Sequence, residues 1–205
     1  MSAPQQHRDP LLLFDIMDTI VRDPFYERMP AHFGLVFEEL LEQKHPDMWV
    51  RFEHGEISED ELIANFFKDG RVVDKDGLVH MMRDSYEYID GIEDILCRLN
   101  ESGYEIRAFS NYPVWYQYIE EKLQLSKYLQ WTYVSCEGPL KGKRKPKAES
   151  FECVIKHSRR KPRELLFVDD RDPNITAAMD AGLQAIHFKN ASQLERDLKS
   201  KGLTF

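Results

Sequence analysis

LLLFDIMDT, residues 11–19, opens with four consecutive apolar side chains and then stops at Asp15. A strand with one wet face alternates apolar and polar residues. An unbroken run belongs to a strand buried on both faces, as in a parallel sheet covered by helices. The same shape returns along the chain: Ile106 to Phe109 ends at Ser110, Tyr133 and Val134 lead to Ser135, and Leu165 to Val168 end at Asp169. A last strand is expected over Gln184 to Phe188.

Helical spacing fills the intervals. Ile92, Ile95, Leu96 and Leu99 share one face, with Gly103 as a stop. Tyr118, Ile119, Leu123 and Leu125 mark a second helix, and Phe151, Val154 and Ile155 a third. Beyond Asp170, Asp172 is expected to cap a helix that carries Pro173 in its first turn and closes at Gly182. Ser192 and Glu195 have capping-box spacing for a final helix. Strand alternating with helix predicts an α/β protein built on a parallel sheet.

Pro24 to Tyr88 breaks the rhythm. Helical periodicity runs from Phe33 to Leu41, Ser58 and Glu61 form a capping box, and a further helix is expected near Leu78 to Tyr86, with no strand signal between. At roughly 150 residues per domain, a 205-residue chain holds one core plus a substantial insertion, or one large domain. The expected division is an α/β core of residues 1–23 and 89–205 with an inserted α-helical cap, 24–88. The cap would lie over the carboxyl ends of the strands, where open α/β sheets bind ligands.

Composition narrows the function classes. Hydrophobic residues make up 42% and include 12 Phe, 9 Tyr and 3 Trp, enough to fill a core and to exclude disorder. A formal charge of −8 offers nothing general to a nucleic acid or an anionic membrane, so any phosphate must be met by local charge. Cys97, Cys136 and Cys153 are an odd set without a CxxC pair, which argues against a disulfide framework and a zinc site and points to a reducing compartment. No apolar run approaches the roughly 20 residues that span a bilayer. The polar stretch Met1 to Pro10 lacks the apolar segment of a secretory signal. The expected location is cytoplasmic, or plastidic if a transit segment is missing.

Polar residues close the expected strands: Asp15, then Ser110 and Asn111, then Asp169 and Asp170, with Lys145 in the loop GKRKP, residues 142–146. A parallel sheet gathers these at one edge. Three carboxylates, a lysine and a hydroxyl suit a hard divalent cation and a phosphate, since oxygen ligands hold Mg²⁺ while lysine and cation neutralise phosphoryl oxygens. Taken singly each has a plainer reading, because an aspartate after a strand is commonly a turn residue and a lysine in a basic run is commonly solvated. Turn chemistry does not predict all of them in this order.

That order resembles the haloacid dehalogenase-like superfamily. FDIMDT, FSN, GKRKP and FVDDRDPN match its four motifs in order, within a resemblance that covers residues 11–188. The resemblance implies a Rossmann-like core with a cap and Mg²⁺-dependent hydrolysis of a small-molecule phosphate ester. It gives Asp15 as nucleophile and Ser110 with the Asn111 amide as phosphoryl-binding groups. Lys145 would be the screening cation, and Asp15, Asp170, Asp169 and the Met17 carbonyl would be the Mg²⁺ site. DIMDTIVRDPFYERMP, QKHPDMW, FEHGEIS, FFKDGR and SNYPVWY are similar to segments of a plant-type group that includes a plastid flavin mononucleotide hydrolase, and so point to that substrate. Aromatic residues are dense in the cap (Phe25, Tyr26, Phe33, Phe37, Trp49, Phe52, Phe66 and Phe67), most of them expected as helix-packing core, with Tyr26, Trp49 and Phe52 as candidate ring contacts.

One residue departs from the pattern. The superfamily's phosphatases usually carry a second aspartate two residues after the nucleophile, to protonate the leaving oxygen, and here that position is Met17. Loss of such a group costs on the order of 10²–10⁴-fold. Asp18 stands where glycine is usual and is expected to accept a hydrogen bond in the turn, while His32, His45 and His54 are further candidates for the proton. Two other functions stay open. Metal-independent 2-haloacid dehalogenases of this superfamily also lack the second aspartate, but not with adjacent carboxylates like Asp169 and Asp170. Met17 also fits a non-catalytic phosphate-binding or regulatory module, against which stand Asp15, Lys145 and Asp170.

Overall fold

The four apolar residues of the opening motif form β1 (Leu11–Phe14), and all four are buried. Around it stand β2 (Ile106–Ser110), β3 (Gln130–Val134), β4 (Leu165–Asp169) and β5 (Gln184–His187). This computed structural model describes residues 9–205, so the polar stretch from Met1 lies outside the described residues except for Asp9 and Pro10. The sheet is parallel throughout, in the order β3-β2-β1-β4-β5.

The unbroken apolar run has a direct structural cause. Leu12 and Phe14 pack into the larger apolar cluster on one face of the sheet, Leu11 and Leu13 into the smaller one on the other. Leu166 and Val168 of β4 divide from Leu165 and Phe167 in the same way. Every position faces a core, so none is free to be polar. The chain leaves β1 toward β2 and β3 and returns past β1 to β4 and β5. The order therefore reverses between β1 and β4, and such a reversal opens a crevice at the carboxyl ends.

Between β1 and β2 lie α1 (Arg28–His32), α2 (Phe37–Gln43), α3 (Met48–Glu53), α4 (Glu59–Ala64) and α5 (Lys75–Ser85). The helix expected over Phe33 to Leu41 is broken: α1 ends at His32, Gly34 takes φ +67, and α2 begins at Phe37. A left-handed glycine ends a helical turn where another residue would be strained. The Ser58 capping box forms, with Ser58 Oγ accepting from the Glu61 amide at 3.2 Å and Glu61 Oε2 from the Ser58 amide at 2.8 Å. Helix α3, not anticipated, brings Trp49 and Glu53 to the sheet edge.

The remaining helices are α6 (Ile92–Glu101), α7 (Tyr116–Leu123), α8 (Ala148–Ser158), α9 (Asp172–Asp180) and α10 (Ala191–Ser200). Two caps differ from expectation. Asp172 is already helical, and Arg171 holds the extended position before it. Helix α10 starts earlier than Ser192: Asn190 caps it by accepting from the Gln193 amide at 2.9 Å, while Glu195 pairs with Arg98 and Lys199. Asparagine is as good a cap as serine, and here the earlier of the two has the extended backbone a cap requires.

The insertion is joined closely to the sheet. Phe52, Leu62, Ile63 and Met82 belong to the same apolar cluster as Leu12, Phe14 and Trp115. Ser135 Oγ donates to the Glu53 carbonyl at 2.7 Å, and the Glu59 carboxylate accepts from Trp115 Nε1 at 2.6 Å and from the Tyr118 hydroxyl at 2.7 Å. Gly55, at φ +65, lies so near the Cys136 carbonyl that a Cβ there would stand 2.2 Å from its oxygen, so only glycine fits this approach.

Candidate active site

The side chains expected to carry chemistry gather at the carboxyl ends of the strands. Asp15 follows β1, Ser110 ends β2, Asp169 ends β4 with Asp170 after it, and Lys145 comes from the loop between β3 and α8. Lys145 is only 2% exposed, and its Nζ lies 2.9 Å from Asp15 Oδ1 and 2.6 Å from Asp169 Oδ2. The ammonium also sits over the rings of Phe109 and Phe167. Burial pulls its pKa down, but the charges of Asp15 and Asp169 outweigh this and hold it above the ordinary lysine value. Asn111 fixes the lysine's backbone by a reciprocal pair: its Nδ2 donates to the Lys145 carbonyl and its Oδ1 accepts from the Lys145 amide, each at 2.9 Å.

Asp169 is fully buried and fully engaged. Its Oδ2 accepts from Lys145 and from Asn174 Nδ2, and its Oδ1 from Asn174 Nδ2 and the Arg171 amide. Asp15, Asp169 and Asp170 each offer an oxygen within 4.8 Å of the others. Burial, and then the charges of Asp169 and Asp170, push Asp15 up to about 8 against the pull of Lys145. Burial and Asp169 likewise push Asp170 up to about 6. Three carboxylates beside one ammonium carry an excess of negative charge, and an all-oxygen donor set of this kind fits Mg²⁺ better than a softer metal. With Asp169 occupied, Asp15 and Asp170 are the side chains with room for a cation.

Ser110 Oγ is buried and makes no hydrogen bond among the described residues. It does not line the cavity, whereas Asn111 does. Met17 lines it too, and Asp18 performs the turn role expected of it: at φ +53 its Oδ1 accepts from the Asp23 amide at 2.9 Å.

The cavity above this floor has a volume of about 210 Å³. Phe25, Tyr26 and Trp49 form an aromatic rim, and Asp23, Glu53, Arg144 and Arg171 supply charge to its walls. Of the candidate ring contacts, Tyr26 and Trp49 reach the cavity while Phe52 is core, buried against Trp115, and Phe25 joins the rim. None of His32, His45 and His54 reaches the cavity. The sequence reading missed the charged walls. Arg144, in the basic loop before Lys145, lines the cavity and lies within 3.3 Å of Glu53. Neither Asp23 nor Glu53 carries a periodic signal, and the only hint was that both fall inside segments shared with the plant-type group.

The chain belongs to the haloacid dehalogenase-like hydrolase family, whose profile matches residues 10–182. Within it, flavin mononucleotide hydrolase 1 of Arabidopsis thaliana, described as chloroplastic, is 48% identical over 194 residues, which is 95% of this chain and 78% of that protein. The fold is shared with the HAD family enzyme BT-2542 of Bacteroides thetaiotaomicron, solved in complex with magnesium and inorganic phosphate, at a TM-score of 0.69, 22% identity, and 89% and 96% coverage of the two chains. A HAD-like hydrolase of Porphyromonas gingivalis is similar at a TM-score of 0.70 and 21% identity, with 96% and 99% covered. Among the described residues no helix is long and apolar enough to cross a membrane.

Proposed function

We propose that this hydrolase is a Mg²⁺-dependent phosphomonoesterase that works through an aspartyl phosphate on Asp15, with flavin mononucleotide as its substrate. The observation that carries the reading is the joining of Asp15, Lys145, Asp169 and Asp170 at the β1/β4 reversal, beneath a cavity ringed by aromatic side chains. Asp15 attacks phosphorus. Lys145 steadies that carboxylate and meets the incoming anion, Asp169 holds Lys145 in place, and the Asn111 amide would bind a phosphoryl oxygen; the unpartnered Ser110 hydroxyl, outside the cavity lining in this structure, would join it once substrate is seated. Asp15, Asp170 and the Met17 carbonyl would hold Mg²⁺, which supplies positive charge to the transferring phosphoryl group.

Residues 24–88 act as the cap in this reading, over a core of residues 1–23 and 89–205. A cavity of about 210 Å³ takes a phosphoryl head and leaves a larger ring system at the mouth, beside Phe25, Tyr26 and Trp49. The Arabidopsis relative supports both the flavin substrate and a plastid address, the latter in place of a cytoplasmic one.

The test is phosphate release from flavin mononucleotide and a panel of other monoesters. Release should require Mg²⁺ and stop when EDTA is added. An inert wild type across the panel would overturn the reading, and chloride release from 2-chloropropionate without metal would turn it toward dehalogenation. The rim gives a second expected result. Tyr26 is 48% exposed, so Tyr26→Ala should fold normally. Loss of ring contact should raise KM for flavin mononucleotide about 2–10-fold, with a much smaller change for glycerol phosphate. Equal changes for the two esters would remove the ring contact.

A further inference from the structure

The proposed reaction leaves one task unassigned. When the ester P–O bond breaks, an alkyl leaving oxygen must acquire a proton, and the thioether of Met17 has none to give. The carboxyl groups lining the cavity are Asp15, Asp18, Asp23, Glu53 and Asp170. Asp15 is the nucleophile and Asp170 faces the cation. Asp18 uses Oδ1 on the Asp23 amide. Glu53 accepts from Trp49 Nε1 at 2.7 Å through Oε1 and pairs with the Arg144 guanidinium through Oε2; burial raises its carboxyl above the ordinary value against the pull of both, but each of its oxygens already faces a donor or a cation.

Asp18 and Asp23 each spend a single oxygen on a backbone amide, but Asp18 has Arg22 to favour its charged form, whereas the charges acting on Asp23 are those of other acids. Asp23 Oδ1 accepts from the Phe25 amide at 2.9 Å, and its Oδ2 takes no hydrogen bond among the described residues. The loop after β1 folds back on itself to present this residue: the Ile20 and Val21 amides both donate to the Ile16 carbonyl, Val21 forms a bridge with Met17, and Asp18 draws in the Asp23 amide. Asp23 thus lines the same cavity as Met17 and is tied to the residue next to it. Burial, and then the charges of Asp18, Glu53 and Asp170, push its carboxyl up to about 7, so much of it carries a proton near neutral pH.

Resting on the phosphatase reading, we propose that Asp23 is the general acid–base that stands in for the missing aspartate at position 17. As an Asp15 oxygen bonds to phosphorus and the ester P–O bond breaks, Asp23 gives its proton to the departing oxygen and the alcohol leaves. The Asp23 carboxylate then takes a proton from the water that attacks the aspartyl phosphate. The O–P bond to Asp15 breaks, hydrogen phosphate is released, and both carboxyls return to their starting states.

The test is alcohol release in a single turnover with enzyme in excess and Mg²⁺ present, which isolates phosphoryl transfer to Asp15. Asp23→Asn keeps an acceptor for the Phe25 amide. It should slow alcohol release from flavin mononucleotide by about 10²–10⁴-fold but slow p-nitrophenolate release from p-nitrophenyl phosphate by less than about tenfold, because that oxygen leaves without protonation. Adding Met17→Asp to Asp23→Asn should recover much of the alkyl rate. In wild type, release from a series of aryl phosphates should depend only weakly on the leaving group's basicity, a measurement that needs no variant. Equal losses on the two ester types, no loss on the alkyl ester, or a steep dependence in wild type would each overturn the role of Asp23 while leaving a phosphatase. A wild type inert on both esters would overturn the phosphatase reading, and this assignment with it.

Discussion

Asp15→Asn is expected to lower Mg²⁺-dependent phosphate release by a factor on the order of 10⁴–10⁶, whichever ester the wild type accepts. The amide oxygen can still accept from Lys145, yet it lacks the charge and lone-pair basicity to displace an ester oxygen from phosphorus. The fold should not suffer. In the metal-free protein, burial and the neighbouring charges of Asp169 and Asp170 raise Asp15 to about 8, so the folded state holds its proton more tightly than the unfolded chain does. Stability associated with this group is present at low pH and is lost as the pH rises from the ordinary carboxylate range through about 8. The amide has no such loss. Metal-free Asp15→Asn should therefore melt near wild type at pH 5 and above it at pH 8, while Mg²⁺ should raise the wild-type Tm more than the variant's. Appreciable residual turnover would remove Asp15 as nucleophile, and a lower Tm at pH 8 would contradict the electrostatic account.

Lys145→Met acts on the same cluster with the opposite effect on stability. The substitution keeps the apolar stem over Phe109 and Phe167 but removes the charge that Asp15 and Asp169 share. Removing one partner from a buried pair costs about 3–5 kcal/mol, and in a protein of this size each kcal/mol moves Tm by about 2–4 °C. The abandoned carboxylates should take up protons more readily, so the destabilisation should be small near pH 5 and largest near pH 8. Turnover should fall on the order of 10²–10³-fold, the usual loss when a charge-stabilising donor is taken away, and high Mg²⁺ should recover part of the lost stability. Melting curves of the two proteins that coincide at pH 8 would show that the buried ammonium is not what holds these carboxylates together.

The sheet was legible because its central strands have no solvated face. The division of Leu11 to Phe14 between two apolar clusters is what the unbroken run reports, and Leu165 to Val168 repeat it. The floor of the site was legible for a related reason, since parallel strands deliver whatever follows them to one edge, and Asp15, Asp169 and Asp170 follow the most apolar runs. The walls were not legible. Glu53 is positioned by Trp49 one helical turn away and by Ser135, which lies 82 positions further along, and no sequence period records the second contact. Asp23 reaches the cavity through a loop that doubles back by backbone hydrogen bonds and by the Asp18 carboxylate's hold on the Asp23 amide, and no sequence period records either. Helix starts were misplaced where two good caps stand close together, as at Asn190 and Ser192, and the backbone chose between them.

The apolar cluster running from Leu12 and Phe14 through Trp115 into Phe52, Leu62 and Met82 bears on how such an enzyme can change its diet over evolutionary time. Exchanging the whole insertion for that of a cousin would strip cover from the sheet and leave Trp115 and its neighbours facing water. Substrate range is therefore free to drift only at the margins, through exposed rim positions such as Tyr26 that can be altered one at a time. The buried seam beneath them is inherited as a block.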